Sequence, residues 1–359
     1  MTRPRSRRTF LAGLGGVGLG ALAGCAGFES VPIRSAPSVL SDRPGAVYVP
    51  THVEGMAMVG RTTASWATVA LTYSYPHRFW TVTGTERERV DIGSDDTVHL
   101  MTTVWDEETG TVFPTATATA TLRKDGETVT ERSLWPMLAQ NMGSHFGDNL
   151  ALSGEGTYDV EVSIAPVQAR RTGTFRNRFD DRVTASFAFE FSRKRLNEIP
   201  YRTMDDRAGE QDAVDPMEME MLPLARTPRV EDLPGTLVGT GTSGDASIVA
   251  ARLEEPPAGI DGDGPYLAVS PRTPYHRYPL ALMALSATVA EGGGGSQRFD
   301  GALPATLDPA LGYHYGAVVP GLESGDRLTV TVDAPPQVAR HEGYEMAFLD
   351  MPPVELTVP

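Results

Sequence analysis

The chain has 359 residues, a formal net charge of −15 and an isoelectric point near 4.9. Lys124 and Lys194 are its only lysines, so it reads as an acidic, well-solvated halophilic protein with no nucleic-acid partner. The one cysteine, Cys25, allows neither a disulfide nor a thiolate centre once it carries a lipid. Any metal must then be held by His, Met, Asp or Glu.

At the N-terminus Arg7-Arg8 precede an apolar Gly- and Ala-rich run ending Leu22-Ala23-Gly24-Cys25. This is a twin-arginine lipoprotein signal over residues 1–25, with Cys25 the expected lipidation site. The expected localisation is the cell membrane, lipid-anchored on the extracytoplasmic face. Gly13, Gly15 and Gly18 match G-x-G-x-x-G in letters. No strand precedes them and no βαβ unit follows, so signal-peptide composition explains them. No other run is long enough to span a bilayer. Residues 26–46 are Ser-, Pro- and Gly-rich without periodicity and read as a flexible tether.

The first folded unit is expected over 47–195. His52, Glu54, Met56 and Met58 alternate and would share one face of a strand. Gly55 and the nearby Gly60 argue for a turn or bulge in an edge strand rather than for a second metal site. Strand signals follow at 67–75, 97–104, 115–122 and 158–164, and Ala185, Phe187, Phe189 and Phe191 close the unit with a last alternating strand. Residues 106–110 and Lys124-Asp125-Gly126 supply turns. Short strands at this spacing predict an all-β fold of antiparallel β-sandwiches. His77 and His276, in the related strings YPHRFW and PYHRYP, are read as stacking in loops or at a domain contact.

Residues 135–164 carry the chemistry. Tyr158, Val160, Val162 and Ile164 alternate with Asp159, Glu161 and Ser163, a half-buried strand. The part before it is expected as an irregular loop, whose Asn141, Gly143, Gly147 and Asn149 let Met137 and His145 fold toward a common point. Pro136, Met137, Ala139, His145, Gly147, Asn149, Gly156, Tyr158 and Pro166 together resemble the periplasmic iron-transporter (Fe2+ transport protein) family. These are immunoglobulin-like copper- and iron-binding proteins that include the treponemal membrane lipoprotein antigen. The resemblance extends back to VHLMTTV at 98–104 and covers roughly residues 50–190. His99 is kept there, Met101 replaces the family's acidic ligand, and the family's late histidine falls near Arg171.

Period two puts His99 and Met101 on one face of their strand, so the expected metal ligands are His99, Met101, Met137 and His145. Exchange of a carboxylate for a thioether shifts preference from ferrous and manganous ions toward cuprous copper. A guanidinium at Arg171 would oppose any cation, unless it points to solvent or His341 substitutes from the second domain.

Residues 196–228 lose alternation and become an acidic linker containing Met217, Met219 and Met221, methionines expected to pack on a neighbouring surface. Residues 229–359 read as a second immunoglobulin-like sandwich and a degenerate copy of the first. Gly312-Tyr313-His314-Tyr315-Gly316 echoes Ser144-His145-Phe146-Gly147, Thr306 stands at the offset of Met137, and Arg340-His341 stands at the late Arg-His position. His314 and His341 are therefore a sparser second set of metal candidates. Gly292 to Gly295 form a glycine run within a hairpin, not a phosphate cradle.

No G-x-S-x-G elbow, H-E-x-x-H helix or Walker sequence is present, so no enzymatic activity is expected. The resemblance implies a lipid-anchored protein that captures copper or iron for uptake and passes it to a metal permease, and it leaves a homodimer open. The alternative is a structural surface lipoprotein whose metal site has decayed.

Overall fold

The computed structural model describes residues 37–217, 219 and 221–359. The expected signal peptide, Cys25 and the first part of the expected tether lie outside the described residues. The described chain is all-β, with one short α-helix, Arg193–Asn197, capped by the Ser192 hydroxyl accepting from the Arg195 N–H. No helix among the described residues is long and apolar enough to cross a membrane.

In the first half, a four-stranded sheet packs on a larger one. The smaller sheet runs Val183–Phe191, Gly156–Ile164, Ala118–Lys124 and Glu127–Ser133. Val183–Phe191 alternates as its sequence predicts, with Val183, Ala185, Phe187, Phe189 and Phe191 buried and the residues between them exposed. Phe189 meets Tyr73 of the facing sheet with ring centroids 4.9 Å apart. The connection at Asp125-Gly126 has positive φ at both residues, 53° and 85°. That conformation matches the twist of a two-residue hairpin.

The larger sheet runs Ala57–Ala64, Ala67–Ser74, Val98–Trp105, Gly143–Leu150, Trp135–Ala139, Ala339–Arg340, Phe79–Thr83 and Glu86–Val90. Ala67–Ser74 and Val98–Trp105 are buried at every position. One face of each lies on the smaller sheet and the other is covered by distant parts of the chain. The irregular loop expected ahead of residue 158 is instead a β-hairpin, Trp135–Ala139 against Gly143–Leu150, turning through Gly143 at φ +69°. With both faces covered there is little polar alternation to read, and the glycines in the hairpin imitate loop composition.

Ala339–Arg340 comes from the second half of the chain. It pairs in parallel with Trp135–Ala139, Ala339 opposite Met137 and Arg340 opposite Leu138, and antiparallel with Phe79–Thr83 through Trp80. The second half has a six-stranded sheet and a four-stranded sheet of its own, and its six-stranded sheet takes in Arg170–Arg171 from the first half, parallel to Ala305–Asp308. Each half thus covers a strand edge of the other, which would otherwise present unpaired backbone groups.

The stretch read as a linker is ordered against the hairpin tip. Tyr201–Thr203 pairs with His52–Glu54, the Val214 N–H donates to Gln140 Oε1 at 2.9 Å, and the Met217 N–H donates to the Asn141 carbonyl at 2.7 Å. Gln140 also donates through Nε2 to the Tyr48 carbonyl at 2.7 Å and the Gly343 carbonyl at 3.2 Å. One side chain therefore ties together four distant segments.

Gly343, two residues past His341, sits at φ +96°, and a Cβ there would lie 2.5 Å from Gln140 Nε2 and 2.6 Å from the Tyr48 carbonyl. Gly84 also has a positive φ, +60°, but open space around it. Gly343→Ala should therefore lower unfolding free energy by about 2–3 kcal/mol and Gly84→Ala by about 1 kcal/mol. Urea denaturation measures both, and equal losses would show that the close approach at Gly343 is not a constraint.

Candidate metal centre

Across Val98–Trp105 and Gly143–Leu150, His99 pairs with Asn149 and Met101 with Gly147; in the next hairpin register His145 pairs with Met137. Residues directly opposite on antiparallel strands share a face, as do positions two apart on one strand. His99, Met101, Met137 and His145 thus all lie on one face of the sheet. Met137 packs with Phe79 and Ala339, and Met101 lines a cavity of about 80 Å³ beside the histidines.

Two further imidazoles complete the cluster. His341 follows directly on Ala339–Arg340, and its N–H donates to the Leu138 carbonyl at 3.1 Å. Its position is set by the inserted strand. His77 lies in the short connection before Phe79–Thr83. Ring centroids are 3.9 Å apart for His77–His99, 4.7 Å for His77–His341, 5.1 Å for His145–His341 and 5.7 Å for His99–His341. One ring nitrogen each of His77, His99 and His341 lies within 4.8 Å of the others.

The outer nitrogens are held by neighbouring oxygens. His99 Nδ1 lies 2.8 Å from Asn149 Oδ1, and Asn149 Nδ2 donates to the His77 carbonyl at 2.9 Å, which fixes the amide so that Oδ1 faces His99. His145 Nδ1 lies 3.1 Å from the Gly143 carbonyl, and His77 Nδ1 3.0 Å from Glu54 Oε2. A carbonyl or carboxylate oxygen only accepts, so these contacts place the proton on Nδ1 and leave a lone pair on Nε2. Nε2 of His77, His99, His145 and His341 is buried in each case and has no hydrogen-bond partner. Leaving one such group unpaired costs about 1–3 kcal/mol, and a cation between His77, His99 and His341, each with a ring nitrogen within 4.8 Å of the others, would relieve that cost there. Gly147 keeps room for it, since a Cβ there would come within 2.7 Å of His99 Nε2.

Charge is arranged to match. Burial pushes the imidazoles of His99 and His341 well below their usual range, with repulsion between neighbouring imidazoles adding to it, and burial takes His145 down to about 4. Burial alone would raise the Glu54 carboxyl, but hydrogen bonds from His52 and His77 outweigh it and hold Glu54 at about 2. Glu54 is thus an anion that orients His77 through its outer nitrogen, the arrangement by which a carboxylate positions a metal-binding imidazole. His52 Nε2 approaches its other oxygen at 3.3 Å.

The remaining candidates fall elsewhere. His314 is buried in the second half, with Nδ1 3.0 Å from the Gly312 carbonyl and Nε2 3.1 Å from the Tyr266 hydroxyl, so its lone pair is already engaged. His314 pairs with Thr306 as His145 pairs with Met137. By the parallel registers, Arg171 opposite Leu307 corresponds to Arg340 opposite Leu138. Thr172, not Arg171, is therefore the counterpart of His341. Arg171 points away, donating to the Arg178 carbonyl and pairing with Asp180 at 2.7 Å. His276 bonds the Val214 carbonyl and stacks near Tyr278. His77 was legible only as a stacking histidine. The usable signal was Glu54, an acid alternating with His52, which the fold turns toward His77.

Residues 86–193 match the family model described as Fe2+ transport protein, and residues 231–357 match that of a domain of unknown function, DUF7350. The first match contains His99, Met101, Met137 and His145 and excludes His77 and His341. Transport of a metal, not an enzyme class, is what that family describes, and the match supports a metal-binding role. Among solved structures, the chain is similar to FetP of uropathogenic E. coli strain F11 in its as-isolated form, at 20% identity and a TM-score of 0.29, covering 39% of this chain and 95% of that one. It is also similar to a copper-bound glutamate-to-glutamine variant of FetP, at 21% identity and a TM-score of 0.31, covering 38% and 92%. No curated protein matches the chain.

His145 and His314, both held at about 4 by burial, are neutral in the fold at pH values where an unfolded chain, with imidazoles near 6.5, takes up protons. Stability should therefore fall as pH drops from about 6.5 toward 4. The melting temperature of metal-free protein should decline across that window, less steeply in His314→Gln. A flat profile would mean that these imidazoles are not neutral in the fold.

Proposed function

We propose that this chain is an extracytoplasmic, lipid-anchored copper-capture protein that holds its cargo through Nε2 of His77, His99, His145 and His341 and passes it to a membrane permease. The observation that carries the reading is four buried imidazole nitrogens without a partner in the protein, with ring nitrogens of His77, His99 and His341 within 4.8 Å of one another and the His145 ring 5.1 Å from that of His341. A histidine kept only for packing has its ring nitrogens satisfied, as His314 does. Met137, directly opposite His145, adds a thioether on the same face.

The donor set selects copper over iron. Imidazole and thioether are borderline and soft donors, and affinity at such sites rises through the first-row divalent ions to copper. Ferrous and manganous ions favour carboxylate oxygen, and the Glu54 oxygens are directed at His52 and His77. Ferrous iron is the weaker cargo on this reading. The twin arginines and Leu22-Ala23-Gly24-Cys25 support export and a lipid on Cys25, and the strongly acidic composition supports a salt-rich surrounding.

Titration with Cu2+ followed by absorbance and calorimetry should give one ion per chain. Affinity should fall about 10- to 100-fold in Glu54→Gln, which loosens the orientation of His77, fall further in His341→Ala, and stay unchanged in His314→Ala. No uptake by the parent would leave a structural lipoprotein as the reading, and equal uptake by the parent and His341→Ala would overturn the four-imidazole site. Separately, Cys25→Ser should move the protein from the membrane fraction into the soluble fraction; retention on membranes without detergent would rule out the tether.

A further inference from the structure

The cavity beside the four imidazoles is lined on another side by sulfur. Met56, Met101 and Met142 contribute to its wall together with His77, His145 and His341. These methionines belong to a small apolar cluster that also takes in Met58 and Met219, with Ala70, Trp105, Val112, Ala139, Leu222 and Ala225. Five of its eleven residues are therefore methionine, from a chain that has 13 in all. The main core of both halves is built mostly from Val, Leu, Ala and aromatic side chains and holds a single buried methionine, Met351. Other clusters hold methionine only singly or in a pair, so thioethers are concentrated beside this cavity.

Their backbone origins differ. Met56 follows the break at Gly55, where a Cβ would lie 2.9 Å from Pro200. Met101 comes from the central strand Val98–Trp105, Met142 from the hairpin turn, and Met219 from the segment that crosses the hairpin tip. Met101 and Met142 are buried, 3% and 4% exposed, whereas Met56, Met58 and Met219 are only partly covered and the neighbouring Met221 is 49% exposed. The thioethers therefore run from solvent inward to the wall that the imidazoles share.

We propose that Met56, Met101 and Met142 form a second cation site in this cavity, selective for a soft monovalent ion such as Cu+. It shares the cavity wall with His77, His145 and His341 and extends the copper-capture reading stated above. Neutral thioethers bind soft monovalent cations and discriminate against hard divalent ones, while imidazole accepts Cu2+ as well. The two donor sets let one chain hold copper in either oxidation state at neighbouring positions, with no redox step required.

The probe is Ag+, a soft monovalent ion that does not change oxidation state under these conditions, added to full-length protein already loaded with one equivalent of Cu2+. Native mass spectrometry should show one added silver per chain with copper retained. In Met56→Leu/Met142→Leu, a swap that nearly conserves volume and hydrophobicity, silver affinity should fall at least tenfold while Cu2+ affinity and its absorption band stay as in the parent. In His99→Ala, copper should be lost and silver kept. Equal silver uptake by the parent and the double methionine variant overturns the proposal, as does stoichiometric displacement of copper by silver or no silver uptake at all. If the parent takes silver in a methionine-dependent way but no Cu2+, the imidazole reading falls and the thioether site stands.

Discussion

Everything at the candidate metal centre depends on a two-residue strand. Ala339–Arg340 lies between Trp135–Ala139 and Phe79–Thr83, and the next residue is His341. Without that insertion, the hairpin bearing Met137 would have an open edge and the cluster would lose an imidazole. The insertion is locked by the Arg340 guanidinium, which is fully buried and donates to the carbonyls of Pro336, Ala347 and Phe348. Burial lowers Arg340 to about 9, so it stays charged at neutral pH, and carbonyl dipoles replace its hydration. The cost of burying that charge is offset by tying the segment before the inserted strand, at Pro336, to the loop after His341, at Ala347 and Phe348.

The same loop is pinned from its other side by acids. Glu345, wholly buried, accepts from the Tyr48 hydroxyl at 2.6 Å, the Gly343 N–H at 2.8 Å and Arg43 at 2.7 Å. Glu342 accepts from the Thr51 N–H at 2.9 Å and pairs with Arg78 at 3.3 Å. These carboxylates are engaged in structure a few residues from the imidazoles. Orientation of His77 falls to Glu54 alone, so the centre presents neutral nitrogen to a cation while its anions stand one layer out. That layering suits an ion bound by lone-pair donation and not by bulk negative charge.

Much of this was legible in the sequence. Tyr158, Val160, Val162 and Ile164, or the alternating phenylalanines up to Phe191, announce strands because one face meets a core and the other meets water. His99 and Met101 share a face by the same periodicity. The hairpin holding Met137 and His145 was hidden because both of its faces are covered, which erases the alternation. The contribution of His77 was hidden for another reason: its partner Glu54 and its neighbour His341 are remote in sequence, and no local spacing encodes a meeting made by an inserted strand. Arg171 could be aligned only to within one residue, and the registers of Arg170–Arg171 against Thr306 and Leu307 and of Ala339–Arg340 against Met137 and Leu138 make Thr172, not Arg171, the residue that follows its short strand as His341 does.

The exchange of strands between halves also has a bearing on how the molecule comes into being. Gln140 and Gly343, which close the centre, are 203 residues apart, and closing so long a loop is entropically costly and slow. A nascent chain that has emerged only as far as the first sandwich has the hairpin and His99 but no inserted strand. The edge of Trp135–Ala139 is then bare and the centre lacks its last imidazole. On the proposed reading, the candidate centre assembles only once the chain has been made through His341, and a product truncated before that residue would lack one of its four imidazoles.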